Sequence, residues 1–148
     1  MKSLFDTMAL VSWCKSGNLP EKWQLAWNRC AYEGTVLIME PLVSEIYYQL
    51  AKTIGHESAQ NGILKIKGLK GVRMFPIEED DDLAMEAGRI HLKAQQNRSE
   101  VSFVDAYLIA ICKKTGAMIH TTDHAIRDIA RRYRCKVNWL PLNELGDG

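Results

Sequence analysis

No Cys-x-x-Cys pair occurs in these 148 residues, and Cys14, Cys30, Cys112 and Cys135 stand far apart with no His at zinc-finger spacing. That excludes a zinc ribbon and reads as four free thiols in a reducing compartment. No apolar run approaches the ~20 residues of a membrane span. The opening Met1-Lys2-Ser3-Leu4-Phe5-Asp6 puts an acid where a secretion signal needs unbroken apolarity. The expectation is a soluble cytoplasmic protein with no membrane partner. A surplus of one charge sign is also lacking: 19 Lys+Arg against 18 Asp+Glu leave a net charge of +1. Bulk attraction for nucleic acid is therefore absent, and any such binding has to come from locally clustered charge. No repeat, low-complexity tract or Pro/Gly/Ser linker divides the chain. With 47% hydrophobic and 25% charged residues, it reads as one globular domain over residues 1–148.

What is present is alternation. Leu4-Phe5-Asp6 reads as a short first strand, followed by an apolar helix over about 8–14 that Gly17-Asn18 breaks. Pro20 suits the first turn of the next helix, whose Trp23, Ala26, Trp27 and Cys30 fall at i, i+3, i+4 and i+7 and which Gly34 ends. Residues 35–39 are a β-branched apolar run of strand length. Pro41 opens a helix to about Ile54 with Val43, Ile46, Tyr47 and Leu50 as its buried stripe. Another helix runs from Glu57 to near Gly68, and 71–77 carries a short strand. The acidic run 78–82 precedes a helix to about Asn97, where anions favour the positive end of the helix dipole. Helices over 104–113 and 125–133 and strands over 117–120 and 136–140 complete the pattern. Strands separated by helices through short connections predict an α/β fold with a parallel-dominated sheet covered on both faces.

In such a sheet ligands gather beyond the carboxyl ends of the strands. Asp6 ends the first strand, Asp123 follows the 117–120 strand by two threonines, Glu45 lies early in the helix after the second strand, and Asp105 opens the helix leading into 117–120. Right-handed crossovers end all parallel strands on one edge, so these four acids are positioned to converge. Asp105 is the most informative. Residues 103–112 are apolar at nine of ten positions, and a carboxylate there costs several kcal/mol unless paired, protonated or metal-bound. The stretch also fits a capping box, Ser102-x-x-Asp105, and the two readings are compatible. Asp6 and Asp123 each stand where a helix N-cap belongs. Glu45 shares its helix face with Gln49 and Lys52, which taken alone is an ordinary solvated face. The acids carry weight as a set.

Leu4-Phe5-Asp6-Thr7, Val43-Ser44-Glu45-Ile46-Tyr47, Ser102-Phe103-Val104-Asp105-Ala106 and Thr121-Thr122-Asp123 together resemble the ordered acidic motifs of PIN domains, most closely those of VapC-type toxins. The likeness covers nearly the whole chain. It implies a three-layer α/β/α fold around a mostly parallel sheet of four or five strands. It also implies a metal-dependent endoribonuclease with Asp6, Glu45, Asp105 and Asp123 as its catalytic acids. Asp6, Asp105 and Asp123 would hold Mg²⁺ or Mn²⁺, Glu45 would orient the attacking water or hold a second ion, and Thr7, Ser102, Thr121 and Thr122 would support them. A cognate antitoxin and a homodimer are part of the same implication. Many relatives place an aromatic soon after the last motif, where this chain has His124-Ala125-Ile126.

The chemistry agrees with the donor set. Hard divalent cations prefer carboxylate oxygen, and repulsion among four clustered carboxylates raises some of their pKa values until a cation arrives. An RNA substrate also needs basic residues at the rim, and Arg98, His124 and Arg127 are candidates. Arg127, Arg131 and Arg134 lie opposite the apolar stripe of their helix, and Lys65, Lys67, Lys70 and Arg73 form a second basic stretch; a solvated outer face explains both equally. Trp23, Trp27, Tyr47, Tyr48 and Leu50 read either as core or as a surface for self-association or an antitoxin, and His120 as a core residue. An aspartate phosphatase needs a second acid two residues after the first, where Met8 stands. A dinucleotide-binding fold needs a G-x-G-x-x-G that is absent. An RNA-processing nuclease outside a toxin–antitoxin pair and a non-catalytic PIN-like binding module remain as alternatives.

Overall fold

Ser3-Leu4-Phe5 and Val36-Leu37-Ile38 are each buried at three successive positions, which requires a sheet covered on both faces. In the computed structural model, which describes residues 1–16 and 19–139, these runs belong to β1 (Lys2–Phe5) and β2 (Thr35–Ile38). With β3 (Val72–Met74), β4 (Met118–Thr121) and β5 (Val137–Trp139) they form a five-stranded sheet in the order β3-β2-β1-β4-β5. Every neighbouring pair is parallel, as alternation with helices demands. The chain builds outward from β1 to β3, then crosses back to lay β4 and β5 on the other side. The strand order therefore reverses between β1 and β4, and a crevice opens there beyond their carboxyl ends.

Among the described residues seven α-helices connect the strands: α1 (Thr7–Ser16), α2 (Glu21–Asn28), α3 (Glu40–Ile54), α4 (His56–Lys67), α5 (Asp81–Gln96), α6 (Phe103–Thr115) and α7 (His124–Arg132). Several boundaries differ from expectation for local reasons. Asp6 lies just outside β1 because its carboxylate caps α1. The acidic run enters α5, where Asp80 Oδ1 accepts from Leu83 N at 3.0 Å and Asp81 and Asp82 occupy the first turn. The 71–77 strand shortens to three residues before Pro76, which has no N–H to offer a ladder. Arg134 falls beyond α7 in a left-handed turn (φ 62°), so the helical series Arg127, Arg131, Arg134 is broken. The breaks expected at Gly17-Asn18 and the strand end at Leu140 lie outside the described residues. No helix among the described residues is long and apolar enough to cross a membrane.

Gly34 does not end α2 directly. The helix widens into a π turn over Arg29–Glu33, and the Ala31 carbonyl there accepts from Gly71 N at 2.7 Å, just before β3. A Cβ on Gly71 would lie 2.4 Å from that carbonyl oxygen, so only glycine permits the approach.

The core centres on Phe5. Its ring meets Trp23 and Trp27 edge-on, with centroids 5.8 and 5.1 Å away, and stacks flat on His120 at 4.2 Å. Trp23, Trp27 and Leu50 are fully buried, so of the two readings the core one holds for them, while Tyr48 is exposed. His120 is a core residue as expected. Its Nδ1 accepts from Asn138 Nδ2 at 3.1 Å, and burial holds its pKa down at about 4, which keeps the imidazole neutral. On α3 the fully buried stripe is Leu42, Ile46 and Leu50; Val43 and Tyr47 sit at its margin, where the Tyr47 hydroxyl bonds His56 Nδ1.

Gly71→Ala is expected to cost about 1–3 kcal/mol, since backbone must give way. Gly88→Ala, inside α5 with nothing within 4 Å of the added Cβ, should be neutral or stabilising by up to ~1 kcal/mol. Urea unfolding of both variants checks the contrast.

Candidate active site

Asp6 follows β1 directly and is buried, with 3% of its surface exposed. Its carboxylate takes four donors. Oδ1 accepts from Ala9 N at 3.0 Å, which caps α1. Oδ2 accepts from Thr121 Oγ1 at 2.7 Å, Thr122 N at 2.7 Å and Thr122 Oγ1 at 3.2 Å. Thr121 Oγ1 in turn accepts from Asp123 N at 3.1 Å, so its proton is directed at Asp6. One side chain thereby ties the end of β1 to the turn after β4 and fixes where Asp123 stands. Asp123 Oδ1 caps α7 by accepting from Ala125 N at 2.7 Å. At α6, Ser102 Oγ accepts from Asp105 N at 3.2 Å while Asp105 Oδ2 accepts from Ser102 N at 3.1 Å, a complete capping box.

Three of the four acids are therefore helix caps, and all four line one cavity of ≈ 130 Å³ with Thr7, Met8, Thr122 and Ile126. Capping and facing the cavity are not alternatives here. The N-terminal ends of α1, α6 and α7 meet at this point, and their positive dipole ends favour negative charge on carboxylates and on any phosphate that enters. Ser102 and Thr121 do not line the cavity; they hold the acids from behind. Arg98 is exposed in the α5–α6 turn with φ 56°, and His124 is exposed at the start of α7. Neither lines the cavity, and Arg127 does not line it either. Met8 and Ile126 were not anticipated. They form an apolar wall that lowers the local dielectric, and Ile126 falls in the segment where relatives carry an aromatic.

The site raises the pKa of Asp6, Glu45 and Asp105, though the main cause differs from the expected repulsion. Burial comes first for Asp6, against the four hydrogen bonds that lower it. Burial also leads for Glu45, which is half-buried rather than solvated; the nearby Thr7 hydroxyl offsets part of the rise and the Asp6 charge adds to it. Asp105 is pushed up to about 6 by burial, against its bonds with Ser102, with smaller contributions from the charges of Glu45 and Asp6.

The donor set fits a hydrated hard cation. Thr7 Oγ1 is buried without a well-formed hydrogen bond. Asp105 Oδ1 and Asp123 Oδ2 accept nothing from the described residues, while Asp6 Oδ1 keeps a lone pair beyond its single donor. Among the described residues no three acids, histidines or cysteines stand close enough to grip a bare ion. Mg²⁺ retains several waters and is typically held through one or two carboxylates, and a cavity of ≈ 130 Å³ has room for those waters.

The comparisons with known proteins agree with this architecture. A PIN domain family model matches residues 3–132, so the chain belongs to the PIN-domain family. No curated protein matches it. Among solved structures, VapBC2 from Rickettsia felis, bound to a DNA fragment from its promoter, superposes with a TM-score of 0.72 at 13% identity, covering 94% of this chain and 98% of that one. Mycobacterium tuberculosis VapC20, a sarcin-ricin loop cleaving toxin, gives 0.66 at 21% identity over 85% and 93% of the two chains. DNA-bound VapBC from Salmonella typhimurium gives 0.67 at 17% identity over 94% and 98%. At these identities the likeness is one of fold.

Two substitutions separate the roles of these acids. Asp6 Oδ1 and Oδ2 each face a backbone N–H that can only donate, so an Asn amide must set its NH₂ against one of them. Asp6→Asn should therefore leave the protein folded but less stable by about 1–3 kcal/mol. Asp105 binds its proton more readily folded (about 6) than unfolded, so its ionisation costs the folded state stability as pH rises from about 4 through 6. In EDTA, Asp105→Asn should gain on the wild type by about 2 kcal/mol between pH 4 and pH 7. Chemical denaturation at both pH values measures the gap.

Proposed function

We propose that this PIN domain is a divalent-cation-dependent endoribonuclease and the toxin of a toxin–antitoxin pair. The observation that carries the reading is the convergence of Asp6, Glu45, Asp105 and Asp123, from four separate segments, on one cavity at the point where the strand order reverses. Family membership and the VapC-like fold support the choice of chemistry. Asp6, Asp105 and Asp123 would hold Mg²⁺ or Mn²⁺ through oxygen, with Thr7, Ser102, Thr121 and Thr122 keeping the carboxylates oriented. When bound, the cation supplies charge neutralisation for the phosphoryl oxygens and an acidified water.

The remaining work falls to side chains. Glu45 is half-buried with its pKa raised, which suits it to take a proton from the attacking water. Asp105, held at about 6 by burial, is mostly ionised at neutral pH, and a bound cation would favour that carboxylate form further. Met8 and Ile126 keep bulk water from one wall of the cavity. Arg98, His124 and Arg127 stand outside the cavity as contacts for flanking phosphates. The toxin assignment is supported by the fold shared with VapBC complexes, and a small adjacent reading frame encoding a DNA-binding protein would supply the antitoxin.

The decisive measurement is cleavage of single-stranded RNA by purified protein with Mn²⁺, with EDTA, and after Mn²⁺ is restored. Activity should vanish with EDTA and return with the ion. Asp105→Asn should cut at least ~100-fold more slowly, since the lost contribution is several kcal/mol. Equal rates for variant and wild type, or cleavage indifferent to EDTA, would refute the assignment. Millimolar Mn²⁺ should also raise the melting temperature of the wild type and leave Asp105→Asn nearly unmoved.

A further inference from the structure

Beside the acid cavity an arginine is held in place before any ligand arrives. The Arg127 guanidinium carbon lies 4.2 Å from the centroid of the Trp139 ring, and Arg127 Nε donates to Asp128 Oδ1 at 2.9 Å. One face and one edge of the guanidinium are thus occupied, and the side chain is only 22% exposed. Its Nη1 and Nη2 donate to none of the described residues. That leaves the two-pronged end of the fork, the part whose geometry matches two oxygens of one phosphate.

The placement of the pair follows from register. Phe5 pairs with His120 and His120 with Asn138, so the next positions along, Asp6, Thr121 and Trp139, form a row across the carboxyl ends of β1, β4 and β5. Thr121 is paired with Trp139 directly and bonds Asp6 on its other side. Adjacent strands are about 5 Å apart, which puts Trp139 two strand spacings from Asp6. Arg127 follows Asp123 by four residues, one helical turn along the same face of α7. The stack therefore flanks the cavity on its β5 side. Burying most of an arginine side chain costs solvation that an exposed neighbouring aspartate repays poorly. The packing of α7 does not require it, because Ile126, Ile129 and Ala130 already supply the buried face.

Resting on the ribonuclease reading, we propose that Trp139 is a positioning residue. It locks Arg127 as a clamp for the phosphate that neighbours the scissile one on a single-stranded RNA. Trp139 does not touch the reacting atoms; it acts by sparing Arg127 the loss of side-chain freedom on binding. The sequence offered no motif for this, since a lone Trp in a last strand reads as core.

The test is binding of a short fluorescent single-stranded oligoribonucleotide in EDTA, where it is not cut, followed across salt concentration. Arg127→Ala should weaken binding several-fold and flatten the slope of log K against log salt by about 0.7, the loss of one phosphate contact. Arg127→Lys keeps the charge but neither stacks nor forks, and should behave like Arg127→Ala. Trp139→Ala should reproduce both changes, Trp139→Phe should recover most of the binding, and the Arg127→Ala/Trp139→Ala double variant should be no weaker than Arg127→Ala alone. A purely structural Trp139 predicts a lower melting temperature in Trp139→Ala with wild-type slope, and that result overturns the proposal. Wild-type binding by Arg127→Lys overturns it too, and does so without touching the core. If the wild type cuts RNA with Mn²⁺ yet Arg127→Ala keeps the full slope, only this inference falls. If the wild type neither binds nor cuts RNA, the ribonuclease reading falls with it.

Discussion

A single carboxylate holds the candidate site together. Asp6 accepts hydrogen bonds from the first turn of α1 and from the two threonines at the end of β4, residues 115 and 116 positions away along the chain. It thereby joins the two strands between which the sheet order reverses. Asp123 is placed by the same bonds, through the amide that donates to Thr121. The cavity exists because this one side chain is satisfied by the backbone of two elements at once.

A parallel sheet imposes the second constraint. All five strands end on one edge, and helices that run away from that edge present their N-termini to it. Asp is favoured as the N-cap of α1 and α7 and as the N3 partner of the Ser102 cap of α6, so the residues that start these helices also bring negative charge into the crevice. Asp105 and Asp123 each spend one oxygen on a helix start, which fixes their direction, and keep the other free, while Asp6 keeps a lone pair on the oxygen that caps α1. The cost appears as raised pKa values at Asp6, Glu45 and Asp105, caused chiefly by burial. Buried, unpaired carboxylates of this kind do not add to the stability of the fold.

Much of this was legible in the residues. The alternation of strands and helices predicts the parallel sheet, and an acid inside the apolar stretch 103–112 points to Asp105 without any structure. Glu45 was less legible, because Gln49 and Lys52 on its helix face read as solvent-facing; its burial comes from the packing of α3 beside Thr7. The tryptophan stripe at 23 and 27 has the same spacing whether it meets a core or a partner, and only the position of the Phe5 ring decides. The π turn at Arg29–Glu33 was illegible in principle from local sequence, since the carbonyl it frees is taken by Gly71, some forty residues on. Helix caps were placed correctly as local features, but whether a cap also faces a cavity is a property of the whole sheet.

The order of the strands has a temporal corollary. β1 is the middle strand and the first to leave the ribosome, but one of its two flanking partners, β4, is synthesised more than a hundred residues later. Until then β1 has an open edge, Asp6 lacks three of its four donors, and two of the four acids have yet to be made. The four-acid cavity therefore cannot close until β4 pairs beside β1.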